Sequence, residues 1–153
     1  MRFYHILAVL LGSLIIQPFG AFARECPAVS TKASPVDAAI QRPFGYRMHP
    51  ILGKAVLHPA LVFSTRAGLA VRAMQGGRLI KFEAAPDGGG FIWIRHSDGT
   101  ELRYGPLLAS ALRFGACVAA GAWLGETMPA PLTLTMRREG HRVDPKRWLE
   151  GAP

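Results

Sequence analysis

The sequence predicts an all-β (β-rich) domain, a compact antiparallel sheet or barrel with short helices at most. Three observations carry that prediction. There are 17 glycines and 12 prolines in 153 residues, enough turn-formers to favour many short strands over long helices. Short strand candidates follow one another at close intervals, separated by Gly-containing turns. Between two of them lies Ser97-Asp98-Gly99, whose Asp-Gly pair supplies the positive φ angles of a tight hairpin turn. With 50% apolar and 18% charged residues the chain has material for one core and no more, which excludes disorder and collagen-like repeats.

The N-terminal segment is set aside first. Arg2 gives a positive start, Ile6 to Ile16 an apolar stretch, and Ala21-Phe22-Ala23 a small-x-small cleavage site, the pattern of a secretory signal peptide over residues 1–23. Gln17 and Pro18 close the apolar stretch short of the ~20 residues a membrane span needs, so no stable span is expected after cleavage. A periplasmic or secreted location follows. Residues 24–42 mix Pro, Ser, Thr and Ala without a period and read as an N-terminal arm, with a short helical turn at Val36 to Gln41. The domain proper covers residues 43–153.

Its strand candidates are Ala55 to Phe63, Gly77 to Glu83, Gly90 to His96, Thr100 to Tyr104, Ala122 to Glu126 and Leu132 to Arg138. The triplet Gly88-Gly89-Gly90 joins the second to the third, and Ser97-Asp98-Gly99 the third to the fourth. Within the third, the period of two puts Ile92 and Ile94 on one face and Phe91 and Trp93 on the other. Trp123 and Trp148 are expected as core anchors.

Lys and Arg number 18 against 10 Asp and Glu, a formal charge of +8 that draws acidic polymers and anionic surfaces at low salt. Export disfavours a nucleic-acid partner. The basic residues Arg137, Arg138, Arg142, Lys146 and Arg147 read as a solvated face. Cys26 and Cys117 would reside where disulfides persist, and two readings stay open: one bridge pinning the N-terminus to the body, or two unpaired thiols. Neither belongs to a C-x-x-C motif.

Several segments in order carry a resemblance. Phe44-Gly45-Tyr46-Arg47-Met48-His49-Pro50-Ile51-Leu52-Gly53 resembles the opening segment of the lysostaphin/LytM-type zinc peptidoglycan endopeptidases. Gly68-Leu69-Ala70-Val71 is similar to that family's G-T-P-V, Trp93-Ile94-Arg95-His96-Ser97-Asp98-Gly99 to its V-I-D-H-G-N-G, and Tyr104-Gly105-Pro106-Leu107 to its Y-A-H-L. Val118 to Gly125 resembles V-K-K-G-Q-V-I-G, and Val143-Asp144-Pro145 opens a segment similar to V-N-P-x-x-Y-L. The resemblance implies the fold class already read from the turns.

It also implies where a zinc site would be. Family members hold the ion with the His and Asp of H-x-x-x-D and the second His of H-x-H, and two further His assist the bound water. In register, His58 takes the first ligand position, Val62 the carboxylate, Pro131 and Thr133 the two positions of H-x-H, and Pro106 the His of Y-A-H-L. One of five functional positions survives. Catalytic zinc needs three N, O or S donors with a fourth position open, so no cofactor is expected here and no general acid or base remains. No His lies between His96 and His141, so no local shift of register restores H-x-H.

The resemblance therefore implies a catalytically inactive peptidase-like domain in the cell envelope. Degenerate members of the family regulate wall hydrolases as amidase activators, so a cell-wall hydrolase docked in the vacated cleft is the first expected partner. Peptidoglycan bound by a structural accessory module is the second, and residual metalloendopeptidase activity the third. The cleft is expected to be lined by His58, Val62, Tyr104, Pro106, Pro131 and Thr133, unless these side chains only fill the former cavity.

Overall fold

The computed structural model describes residues 26–29, 31, 33–109 and 111–150. The expected signal segment lies outside the described residues, as does the side chain of Trp148. The strands are β1 (Ile40–Arg42), β2 (Gly45–Met48), β3 (Ala55–His58), β4 (Leu61–Phe63), β5 (Ala70–Arg72), β6 (Gly77–Ala84) and β7 (Gly90–Arg95). They continue with β8 (Glu101–Ala109), β9 (Cys117–Val118), β10 (Trp123–Thr127), β11 (Leu132–Arg138) and β12 (His141–Val143), and the chain closes on a one-turn helix α1 (Pro145–Leu149). No helix among the described residues is long and apolar enough to cross a membrane.

One antiparallel sheet runs β1-β4-β11-β8-β7-β6-β9, with β10 bridging β5 and β8 and β12 extending β11; β2 and β3 form a separate hairpin. Pro59 divides the Ala55–Phe63 candidate into β3 and β4, because proline cannot donate to a ladder. The hairpin at Ser97-Asp98-Gly99 forms as its chemistry demands. Gly99 has φ 78°, the Asp98 carboxylate accepts from Thr100 N at 3.0 Å, and Arg95 pairs with Glu101 in register.

Strand alternation gives the sheet two different faces. Leu132, Leu134 and Met136 of β11, Leu102 and Tyr104 of β8, Ile92 and Ile94 of β7, and Leu61 and Phe63 of β4 pack into one core. Each such side chain contributes about 1.5–3 kcal/mol by leaving water. The residues between them, Thr133, Thr135, Arg137, Arg103, Trp93 and Val62, turn to the opposite face. Phe91 and Trp93 thus part from Ile92 and Ile94 as the period of two requires.

Two expectations need correction. Residues 24–42 are not only an arm: β1 hydrogen-bonds to β4, and Val36 is 3% exposed within the core, so the packed body starts before Pro43 and Val36 to Gln41 makes bends and a strand rather than a helical turn. Trp123 is no core anchor. It is 46% exposed because its neighbour Leu124, fully buried, takes the inward direction at that point of β10. Cys26 and Cys117 are joined in a disulfide with a Cα separation of 5.3 Å, tying the N-terminal stretch to β9.

Candidate functional site

The three strands β4, β11 and β8 lie side by side, and their register sets one row across the sheet: Val62 opposite Thr133, and Thr133 opposite Gly105. The positions assigned by motif to the carboxylate and to the second His of H-x-H are therefore direct cross-strand neighbours. His58, at the end of β3, reaches the same face. A cleft of about 470 Å³ opens there, bounded by His58, Trp93, Arg103, Thr133, Arg137 and Arg142 among others.

That row and its surroundings offer few electron-pair donors suited to a metal. His58 Nδ1–H donates to the Ala60 carbonyl at 2.8 Å, leaving the Nε2 lone pair to face the Arg42 guanidinium at 3.5 Å. The Thr133 hydroxyl donates to the Gly105 carbonyl at 2.6 Å, pinning β11 to β8. Val62 is buried and offers no lone pair. A zinc ion does not fit this set: one imidazole is available, and a fixed cation stands against its free nitrogen. Among the described residues no three His, Cys, Asp or Glu side chains converge on a point.

Two of the other described histidines bond to the backbone. His96 is 3% exposed and its Nδ1–H donates to the Gly76 carbonyl at 2.9 Å; burial, against the pull of that carbonyl and of Asp98, holds its pKa below the usual imidazole value. His49 Nδ1 accepts from Ile51 N and Leu52 N at 3.3 Å each, shaping the β2–β3 loop. His141 is exposed on the turn into β12.

Only part of the expected cleft lining is found there. His58 and Thr133 line it. Tyr104 does not: it is fully buried in the core, where its hydroxyl accepts from Met74 N at 3.1 Å and burial drives its pKa upward. It shares the inward parity of Leu102, two residues before it, so the alternation of β8 overrides the motif's suggestion. Val62 is buried at one end of the row, Pro106 is half-buried in β8, and Pro131 is exposed just ahead of β11; none bounds the cleft.

What occupies the face instead is cationic and aromatic. The Arg103 guanidinium stacks on Phe91, 3.5 Å from the ring centroid, and Arg137 lies 4.9 Å over Trp93. Glu83 accepts from Lys81 Nζ at 2.5 Å and pairs with Arg103 at 3.4 Å. The hydrogen bond from Lys81, with the charge of Arg103, holds the Glu83 carboxyl below its ordinary pKa despite partial desolvation. Linear reading missed Arg42, Arg103 and Glu83. The signal lies in pairing rather than spacing: once β7 and β8 are in register, Trp93 and Arg103 fall opposite each other.

Peptidase family M23 matches residues 56–145, more than half of the chain, a span that contains the whole row just described. The chain belongs to peptidase family M23. Among curated M23 relatives, the DD-carboxypeptidase/endopeptidase Mpg of Neisseria meningitidis serogroup B and that of Neisseria gonorrhoeae are each 33% identical over 137 residues, 86% of this chain and 30% of theirs. The chain thus spans under a third of these relatives' length. A zinc-containing peptidase from Vibrio cholerae superposes with TM-score 0.66 at 24% identity, covering 76% of this chain and 39% of that one. Lysostaphin from Staphylococcus simulans does so with TM-score 0.64 at 20% identity, covering 82% and 56%. These structures share the M23 fold with the chain.

Proposed function

We propose that this M23 domain acts in the cell envelope without hydrolysis, holding the peptide part of peptidoglycan in the cleft between β3, β7, β8 and β11. The single observation that carries the reading is the row Val62–Thr133–Gly105: it presents a hydrocarbon and a neutral hydroxyl in place of strong metal ligands, while the surface beside it is rich in arginine and aromatic rings. Without a held metal ion nothing lowers the pKa of an attacking water, and no side chain in the row can take its proton. Aromatic walls and guanidinium groups bind peptides well without cutting them.

A second reading is regulation of a peptidoglycan hydrolase, the partner the sequence analysis put first. It is favoured by the β2–β3 hairpin beside His58, which exposes Tyr46, Met48, Leu52 and Ile51, the last 87% exposed.

Elemental analysis and sacculus digestion test the proposal. The purified protein is expected to carry well under one equivalent of zinc, to leave purified sacculi undigested and to sediment with them. One tightly held equivalent of zinc together with released muropeptides overturns it. Faster digestion by an added amidase, with no sedimentation on sacculi alone, moves the assignment to the second reading.

A further inference from the structure

We propose that Arg137 and Arg142 form a recognition site for the terminal carboxylate of a peptide lying in the cleft. This rests on the peptide-binding reading above and adds the group that orients the ligand. The two arginines are direct cross-strand partners on β11 and β12. Like charges placed directly opposite destabilise a sheet, so the pair needs a counter-charge. Among the described residues neither has one: the cleft's carboxylate, Glu83, is taken by Lys81 and Arg103.

The geometry of Arg137 strengthens the point. Its guanidinium lies over the Trp93 ring, and its Nε is buried with no acceptor. A buried N–H without a partner carries a desolvation cost, which an acceptor reaching it on ligand binding would offset. Stacking leaves the in-plane edge of the guanidinium to receive a planar, two-oxygen group, the arrangement that carboxylates satisfy bidentately. Arg103 stands close enough to Arg137 for the two charges to repel, so the positive potential extends along the cleft. Glu83, held ionised at the same face, disfavours a dianion such as phosphate more than a carboxylate. Thr133 and Thr135 lie along the continuation of the cleft, where a peptide backbone would run.

Calorimetric titration of the purified protein with a stem-type pentapeptide, as the free acid and as its C-terminal amide, tests the site. The free acid is expected to bind about tenfold more tightly than the amide, the scale of a lost charge-assisted hydrogen-bond pair. Arg142 is exposed, so Arg142→Gln leaves packing intact; it is expected to remove most of that preference, weakening the free acid much more than the amide. Equal affinity for acid and amide in the unaltered protein overturns the carboxylate site while sparing the peptide-binding reading. Absence of binding by either peptide overturns both. Displacement of the free acid by inorganic phosphate, at concentrations where acetate has no effect, assigns the arginines to phosphate and also sinks the proposal.

Discussion

Val62 and Thr133 show how two neighbouring side chains set what a row of a sheet can hold. Each faces the other across β4 and β11: one is hydrocarbon, and the other is a neutral hydroxyl whose proton is donated to the Gly105 carbonyl. Restoring a carboxylate alone would leave a buried charge with Thr133 as its cross-strand neighbour. Val62→Asp is therefore expected to lower the unfolding free energy by about 2–3 kcal/mol, read from urea melts; an unchanged midpoint would mean that the position is open to water. His96 gives a second prediction at this scale. Its folded pKa is depressed, chiefly by burial, so the unfolded chain binds the proton more readily. The stability tied to neutral His96 is complete above the unfolded value of about 6.5 and is lost as pH falls through the lower folded value. Urea midpoints should drop between pH 7 and pH 5, and His96→Gln should flatten that drop; an equal slope in the variant refutes the assignment.

Among the elements, β8 is the strand on which the site depends, since it carries Arg103 on one side of Gly105 and adjoins both β7 and β11. Gly105 has φ 145°, and a Cβ built there would meet the Gly90 carbonyl oxygen at 2.6 Å. Gly53, on the β2–β3 loop, has φ 58° with nothing within 4 Å. Gly53→Ala thus meets backbone strain alone, about 1–2 kcal/mol, whereas Gly105→Ala adds a clash between two strands and is expected to cost at least twice as much. Comparable losses in thermal melts would contradict the close β7–β8 approach. The sequence made the longer strands legible because alternation and Gly-rich turns act locally: the β7–β8 hairpin is set by Asp98 and Gly99 within four residues of chain. The two- and three-residue strands β1, β5, β9 and β12 carry no period to read; they exist through pairing with distant segments. Val62 and Thr133, singled out through the family resemblance, lie side by side across β4 and β11, whereas Tyr104, expected in the cleft, is buried in the core, where the parity of Leu102 decides. The arginine cleft was illegible for a different reason. Arg137 and Arg142 read in linear order as part of a solvated basic face, and Arg103 joins them only when β8 is laid beside β11.

At the scale of the whole molecule, the N-terminal stretch straps across the sheet rather than trailing from it. Gly76 N donates to the Val29 carbonyl at 2.7 Å, Thr31 N to Met74 O at 3.0 Å and Arg72 N to Pro35 O at 2.8 Å, after which Val36 enters the core. The Cys26–Cys117 bridge anchors the Cys26 end of this strap to β9 across 91 residues of sequence. A loop of that length loses much chain entropy when closed in the unfolded state, so Cys26→Ser with Cys117→Ser is expected to lower the unfolding free energy by about 4 kcal/mol. The bridge lies at β9, which pairs with the start of β6 at Gly77 and Arg78, whereas the cleft draws on β3, β7, β8, β11 and β12 and reaches β6 only at Glu83, near its other end. Removal of the bridge should therefore lower the urea midpoint while leaving peptide affinity, measured well below that midpoint, within about twofold of the unaltered protein, as expected for distant independent sites. A large loss of affinity in a variant that remains folded would show that the strap, and not the sheet alone, holds the cleft in shape.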